Sequence, residues 1–103
     1  LINLVKEISK NLRESDVFAR IGGEEFTILL NDTSINGANV IAEKLRLIIE
    51  KKTFSYNSIE IKITISIGIC ELDEENSTIE ELYKESDRKL YIAKKNGRNR
   101  VVS

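Results

Sequence analysis

The chain has no histidine, no methionine and a single cysteine among its 103 residues. Without histidine, His-based acid–base catalysis, a Ser-His-Asp triad and any His-containing zinc site are excluded. Cys70 stands alone, which excludes an intrachain disulfide and a four-cysteine metal site, and such usage fits a reducing, cytoplasmic compartment. No apolar run reaches the roughly 18–20 residues of a membrane-spanning helix, and no secretory signal pattern is visible. Neither sign of charge dominates: 16 basic residues stand against 17 acidic ones, for a net charge of −1. The whole chain therefore has no attraction for nucleic acid, and any anion site has to be a local cluster. A start on Leu1 and the absence of methionine point to a piece of a longer polypeptide, with its first strand or helix missing.

What is present fits one small packed domain over residues 1–103, since 41% of the residues are hydrophobic. Leu1, Leu4, Val5, Ile8 and Leu12 recur at helical spacing and predict an amphipathic helix over residues 1 to about 13. The apolar run 17–21, two glycines, and the alternation of Phe26, Ile28 and Leu30 predict a β-hairpin with Gly22-Gly23-Glu24-Glu25 at its tip. Ala38, Ile41, Leu45 and Ile48 share a helical face after a loop at 31–34. Residues 54–58 read as a short irregular or strand-like connection. Ile59, Ile61, Ile63, Ile65, Ile67 and Ile69 alternate without a break and predict one strand with one face buried. Ser77-Thr78-Ile79-Glu80 reads as a capping box. It opens a helix whose inward face is Ile79, Leu82, Tyr83, Ser86, Leu90 and Ala93, with Gly97 just past its end. Val101 and Val102 suggest a final short strand. The order α-β-β-α-β-α-β implies an α+β domain, a mostly antiparallel sheet with helices packed on it.

Chemistry concentrates at the hairpin tip. Two adjacent carboxylates on a turn repel one another unless a cation lies near, and carboxylate oxygens are the hard ligands that Mg²⁺ prefers. The glycines remove side chains that would keep a phosphate from the backbone amides. A solvated Gly-Gly turn with charged flanks is the plainer reading of these residues alone. Lys94, Lys95 and Arg98 likewise fit cations placed at a helix C-terminus, and Arg13 with Asp16 fits a helix end followed by a loop. The isoleucines read as core, Tyr83 and Tyr91 as packing residues, and Cys70 as a small buried apolar group.

Five elements in order carry a resemblance. Gly22-Gly23-Glu24-Glu25-Phe26 resembles the signature of the GGDEF family, the diguanylate cyclases, in a GGEEF spelling. Thr64-Ile65-Ser66-Ile67-Gly68 resembles its T-x-S-I-G strand, and Ala42-Glu43 with Leu45-Arg46 its A-E-x-L-R helix. Asp87, Leu90-Tyr91, Ala93-Lys94 and Gly97-Arg98-Asn99 resemble its closing helix and turn. Arg13 and Asp16 match its R-x-x-D inhibitory motif in type and in distance from Gly22.

The resemblance implies a nucleotide-cyclase fold and the condensation of two GTP into cyclic diguanylate with release of pyrophosphate, a bacterial second-messenger reaction. It assigns Glu24 as metal ligand and as base toward a ribose 3′-hydroxyl, and Glu25 as a second acid positioning metal and nucleotide. Gly22 and Gly23 would lie against the nucleotide, and Lys94 and Arg98 would hold the triphosphate. The implied cofactor is Mg²⁺, two ions per site, with Mn²⁺ as a substitute. Arg13 and Asp16 would bind the product, with Lys44 where an arginine is common; lysine lacks the bidentate fork, so product affinity is expected to be reduced. Implied partners are GTP, cyclic diguanylate and a second GGDEF domain, since each domain would hold one GTP. A membrane anchor, where a parent protein has one, belongs to upstream segments. The alternative from a different class is a catalytically silent GGDEF domain that acts as a receptor for cyclic diguanylate. A third, an unrelated small α+β structural domain, leaves the five matches to chance.

The resemblance also locates what this sequence does not carry. The family's first strand, with an Asp that binds both metals, and the Asn and Asp that read guanine precede the region matched here; Asn3 and Asn11 do not match them. These 103 residues are therefore expected to be inactive alone. Exposed strand edges beside the gap would favour a swapped or tightly packed dimer.

Overall fold

The computed structural model describes the chain except for Leu1, Ser15, Gly23, Glu24, Asn31, Glu75 and Asn76; for Ile2, residues 18–22 and Glu25 it describes the backbone alone. The elements are α1 (Ile2–Lys10), β1 (Val17–Gly22), β2 (Glu25–Leu29), α2 (Ile35–Lys51), β3 (Thr53–Tyr56), β4 (Ile59–Lys62), β5 (Ile67–Gly68), α3 (Ile79–Lys95) and β6 (Val101–Val102). They divide into two compact units, Leu1–Thr33 and Ser34–Ser103. The class is the expected α+β mixture, with β1/β2 and β3/β4 antiparallel and β5/β6 parallel.

In the first unit, α1 turns Leu4, Val5 and Ile8 inward and Asn3, Lys6 and Ser9 outward, the pattern of a helix with one apolar stripe. It stops at Lys10, short of the expected residue 13. The amides of Asn11 and Leu12 donate to the carbonyls of Ile8 and Ser9 at 3.1 Å each, a tightening to i→i+3 bonds that ends the α-helix. The Asn11 side chain closes the end by donating to the Glu7 carbonyl at 2.8 Å. The hairpin then forms as expected, in register from Val17↔Leu29 to Gly22↔Glu25, with a shift between Arg20 and Gly22. One extra residue on β1 makes this a bulge, which increases local twist next to the tip.

The second unit holds a β-α-β crossover. β5 and β6 run parallel, with the Ile67 amide donating to the Arg100 carbonyl and the Ile69 amide to the Val102 carbonyl, both at 2.9 Å. Parallel neighbours need a long return; here it is α3, packed on β5 and β6, while α2 also meets β6. The buried apolar side chains include Ala42, Leu45, Ile49, Phe54, Ile69 and Ala93. Gly68 lets β5 approach α3: a Cβ there would lie 2.2 Å from the Ser86 carbonyl oxygen and 2.3 Å from the Leu90 nitrogen.

Several expectations are corrected in this unit. The isoleucine run is not one strand. Ile59–Lys62 pairs with β3, residues 63–66 leave regular pairing, and the chain re-enters a sheet only at Ile67. Ile59 is 63% exposed and Ile61 40%, so the first part of the run is not core. Alternation tells which side chains share a face; it does not tell which strand lies alongside or whether anything covers that face. The tight turn at Asn57 and Ser58, φ 49° and 66°, fixes the pairing by folding β4 onto β3, which replaces the irregular connection. In α3 the N-cap is Thr78, one residue after the expected start of the box; its hydroxyl accepts from the Glu81 amide at 3.1 Å. Ile79 and Tyr83 are exposed on α3, and so is Tyr91, so neither tyrosine is a packing residue. Cys70 is half-buried, and burial first, then nearby Glu85, pushes its thiol up.

Candidate functional site

The Gly-Gly-Glu-Glu segment sits where β1 hands over to β2. Gly22 ends one strand, Glu25 begins the other, and the two pair. Gly23 and Glu24 lie outside the described residues, as does the side-chain placement of Glu25. The connection is thus two residues long, and both acids fall at or beside it. Two consecutive carboxylates there are a donor set whose chemistry fits a hard divalent cation. No helix is long and apolar enough to cross a membrane, among the described residues.

Arg13 and Asp16 are brought together by a small reciprocal turn. The Asp16 amide donates to the Arg13 carbonyl at 3.0 Å, and the Arg13 amide donates to Asp16 Oδ2 at 2.9 Å. The guanidinium closes the pair, with Nη2 3.1 Å from Oδ1 and 3.0 Å from Thr33 Oγ1. The Asp16 side chain is 2% exposed while that of Arg13 is 54% exposed. The pair therefore presents a guanidinium face over a shielded carboxylate. The side-chain bond from Arg13, then the bond from its backbone amide, holds the Asp16 carboxyl below the usual aspartate range. Lys44 is exposed on α2.

Lys94 and Arg98 are organised by the end of α3. Helices expose unpaired carbonyls at their C-termini. Here the Arg98 amide donates to the Ala93 carbonyl at 2.9 Å and the Gly97 amide to the Lys94 carbonyl at 3.4 Å. This pair of bonds is a Schellman closure, with Gly97 as the expected C′ residue at φ 117°. The left-handed backbone continues through Arg98 at 62° and Asn99 at 46°. Lys94 is half-buried and Arg98 exposed. Lys95 instead lies over the Tyr91 ring, 5.7 Å from its centroid, which separates its role from that of Lys94.

The turn is anchored by residues to which no individual role attaches in the sequence. Asn99 Oδ1 accepts from Arg46 Nη1 at 3.0 Å, its Nδ2 donates to Glu50 Oε2, and its amide donates to Ser66 Oγ at 3.1 Å. Arg46 is itself gripped by Glu43 through Nε at 3.1 Å and through Nη2, and this bond raises the Arg46 pKa and lowers that of Glu43. Arg46, Ser66 and Asn99 belong to three separate motif matches; their meeting is the signal that spacing alone could not give. Glu50 carried no sequence signal.

Residues 1–100 match the family described as "Diguanylate cyclase, GGDEF domain". The chain belongs to the GGDEF family. The match spans both compact units of this GGDEF chain. Diguanylate cyclase A of Treponema denticola is 39% identical over 102 residues, 99% of this chain and 28% of that protein. The chain spans between 14% and 28% of three curated relatives' lengths. Among solved structures, the GGDEF domain of YfiN (also TpbB) from Pseudomonas aeruginosa matches with a TM-score of 0.90 and 31% identity, over 100% of this chain and 66% of that one. The active GGEEF domain of a Vibrio cholerae diguanylate cyclase matches at 0.79 with 31% identity, over 99% and 64%.

Proposed function

We propose that this GGDEF chain is part of a diguanylate cyclase that condenses two GTP into cyclic diguanylate and two pyrophosphates. The observation that carries this reading is the Gly-Gly-Glu-Glu run on the β1–β2 connection, intact in sequence, within a family match that spans both units. Glu24 is the metal ligand and takes the proton from the ribose 3′-hydroxyl; Glu25 positions metal and nucleotide. Gly22 and Gly23 allow the nucleotide close to the backbone. Lys94 and Arg98 bind the triphosphate and offset the charge that builds on departing pyrophosphate. Mg²⁺, when bound, neutralises charge on the attacking and leaving oxygens. Product binding is assigned to Arg13 and Asp16, the exposed Arg13 fork being suited to a guanine edge, and separately to Lys44.

The test is turnover by the full-length protein given GTP and Mg²⁺, with cyclic diguanylate and pyrophosphate quantified together. One product dimer per two pyrophosphates is expected, with loss of at least about a hundredfold in kcat for Glu24→Gln. Absence of product with either Mg²⁺ or Mn²⁺ sinks the cyclase reading. Binding of cyclic diguanylate without turnover would establish the receptor instead.

A further inference from the structure

Three consecutive residues after α3 take left-handed backbone, and only the first is a glycine: Gly97, Arg98 and Asn99. For L-residues this conformation is disfavoured, and for an arginine it persists only where the surroundings fix it. Asparagine tolerates it best, yet Asn99 is not left to its own preference. Three of its polar groups are bonded: the side-chain oxygen to Arg46, the side-chain nitrogen to Glu50 and the backbone amide to Ser66. Arg46 is half-buried and held on its other edge by Glu43. Its orientation is therefore set before it reaches Asn99. These bonds join α2, the segment leading into β5 and the turn before β6.

We infer that Asn99, clamped by Arg46, Glu50 and Ser66, is a positioning residue that holds Arg98 in its left-handed conformation and so aims the Arg98 guanidinium at the triphosphate. This rests on the triphosphate role proposed above for Arg98. The Schellman bonds hold Gly97 and the Arg98 amide but place no bond on the Asn99 side chain that follows. The clamp supplies the missing constraint one residue beyond Arg98. A fixed guanidinium loses less freedom on binding a phosphate than a loose one, so release of the clamp acts on nucleotide affinity through Arg98 and through no contact of Asn99 with the ligand.

The experiment is calorimetric titration of the full-length protein with an α,β-methylene GTP analogue in four forms: wild type, Arg98→Ala, Asn99→Ala and the double variant. Asn99→Ala is expected to weaken binding about tenfold. Arg98→Ala is expected to weaken it as much or more, and the double variant to bind within about twofold of Arg98→Ala, since coupled residues are not additive. Asn99→Gly keeps the backbone freedom and the amide bond to Ser66 but loses the side-chain bonds to Arg46 and Glu50, and is expected to bind like Asn99→Ala. Wild-type affinity in Asn99→Ala or in Asn99→Gly overturns the clamp, as do losses that multiply in the double variant. Unchanged affinity in Arg98→Ala overturns the triphosphate reading and the clamp with it, whereas a loss there with multiplying effects overturns the clamp alone. If Asn99→Ala does not fold, Arg46→Lys, which keeps the charge but not the guanidinium fork that joins Glu43 to Asn99, reads the same coupling to Arg98.

Discussion

At the scale of single residues, the sequence motifs divide into those that face a ligand and those that hold the frame. Gly68 is a frame residue. Its missing Cβ is what allows β5 to lie against the backbone of α3, and the atoms it would strike belong to main chain, which cannot rotate away. Gly68→Ala is expected to cost about 3 kcal/mol through overpacking. It should lower the midpoint of thermal unfolding by at least about 10 °C, measured by circular dichroism against wild type. A midpoint within a degree or two would mean that the strand and helix separate at no cost. Asn99 and Arg46 also belong to the frame, yet they stand one residue and one bond from Arg98. The sequence marks all three through family motifs but does not separate their roles. Separation needs the hydrogen-bond partners, which lie 33, 49 and 53 residues away from Asn99.

At the scale of elements, helices and the β1–β2 hairpin were legible, and the pairing of the later strands was not. α2 and α3 follow from apolar spacing and from their caps, because a helix satisfies its backbone locally and its signals are local. Ser34 accepts from the Gly37 amide at 3.2 Å, while the Glu71 carboxylate accepts from the Ile35 amide at 2.7 Å. The start of α2 thus draws on a residue far along the chain as well. Thr78 caps α3 alone among the neighbouring hydroxyls described, so Thr78→Ala is expected to cost about 1 kcal/mol. Ser77→Ala should cost a few tenths at most, as an ordinary surface change. Denaturant titration of the two variants checks this, and a reversed ranking would return the cap to Ser77. The isoleucine run failed as a single strand for the opposite reason. A strand's bonds are made to another segment, so its length is set by the partner: β3 takes Ile59–Lys62 and β6 takes Ile67 and Gly68.

At the scale of the whole molecule, the proposed chemistry joins two substrates held by two domains. The rate of product formation per protein is therefore expected to rise with protein concentration until the paired form dominates, then level off. Initial rates over a dilution series, alongside light scattering, check this; a specific activity independent of concentration, with a monomer throughout, would contradict it. The sequence by itself determined the family, the α+β class, the hairpin that carries the paired acids and the cations at the end of α3. Each rests on local patterns: residue spacing, turn glycines and caps. Only the tertiary structure decided how β3 to β6 pair, that Ile59 and Ile61 are exposed, that Gly68 serves a close approach, and that Arg46, Glu50, Ser66 and Asn99 meet. Those facts depend on contacts between segments distant in sequence, where periodicity carries no information about the partner.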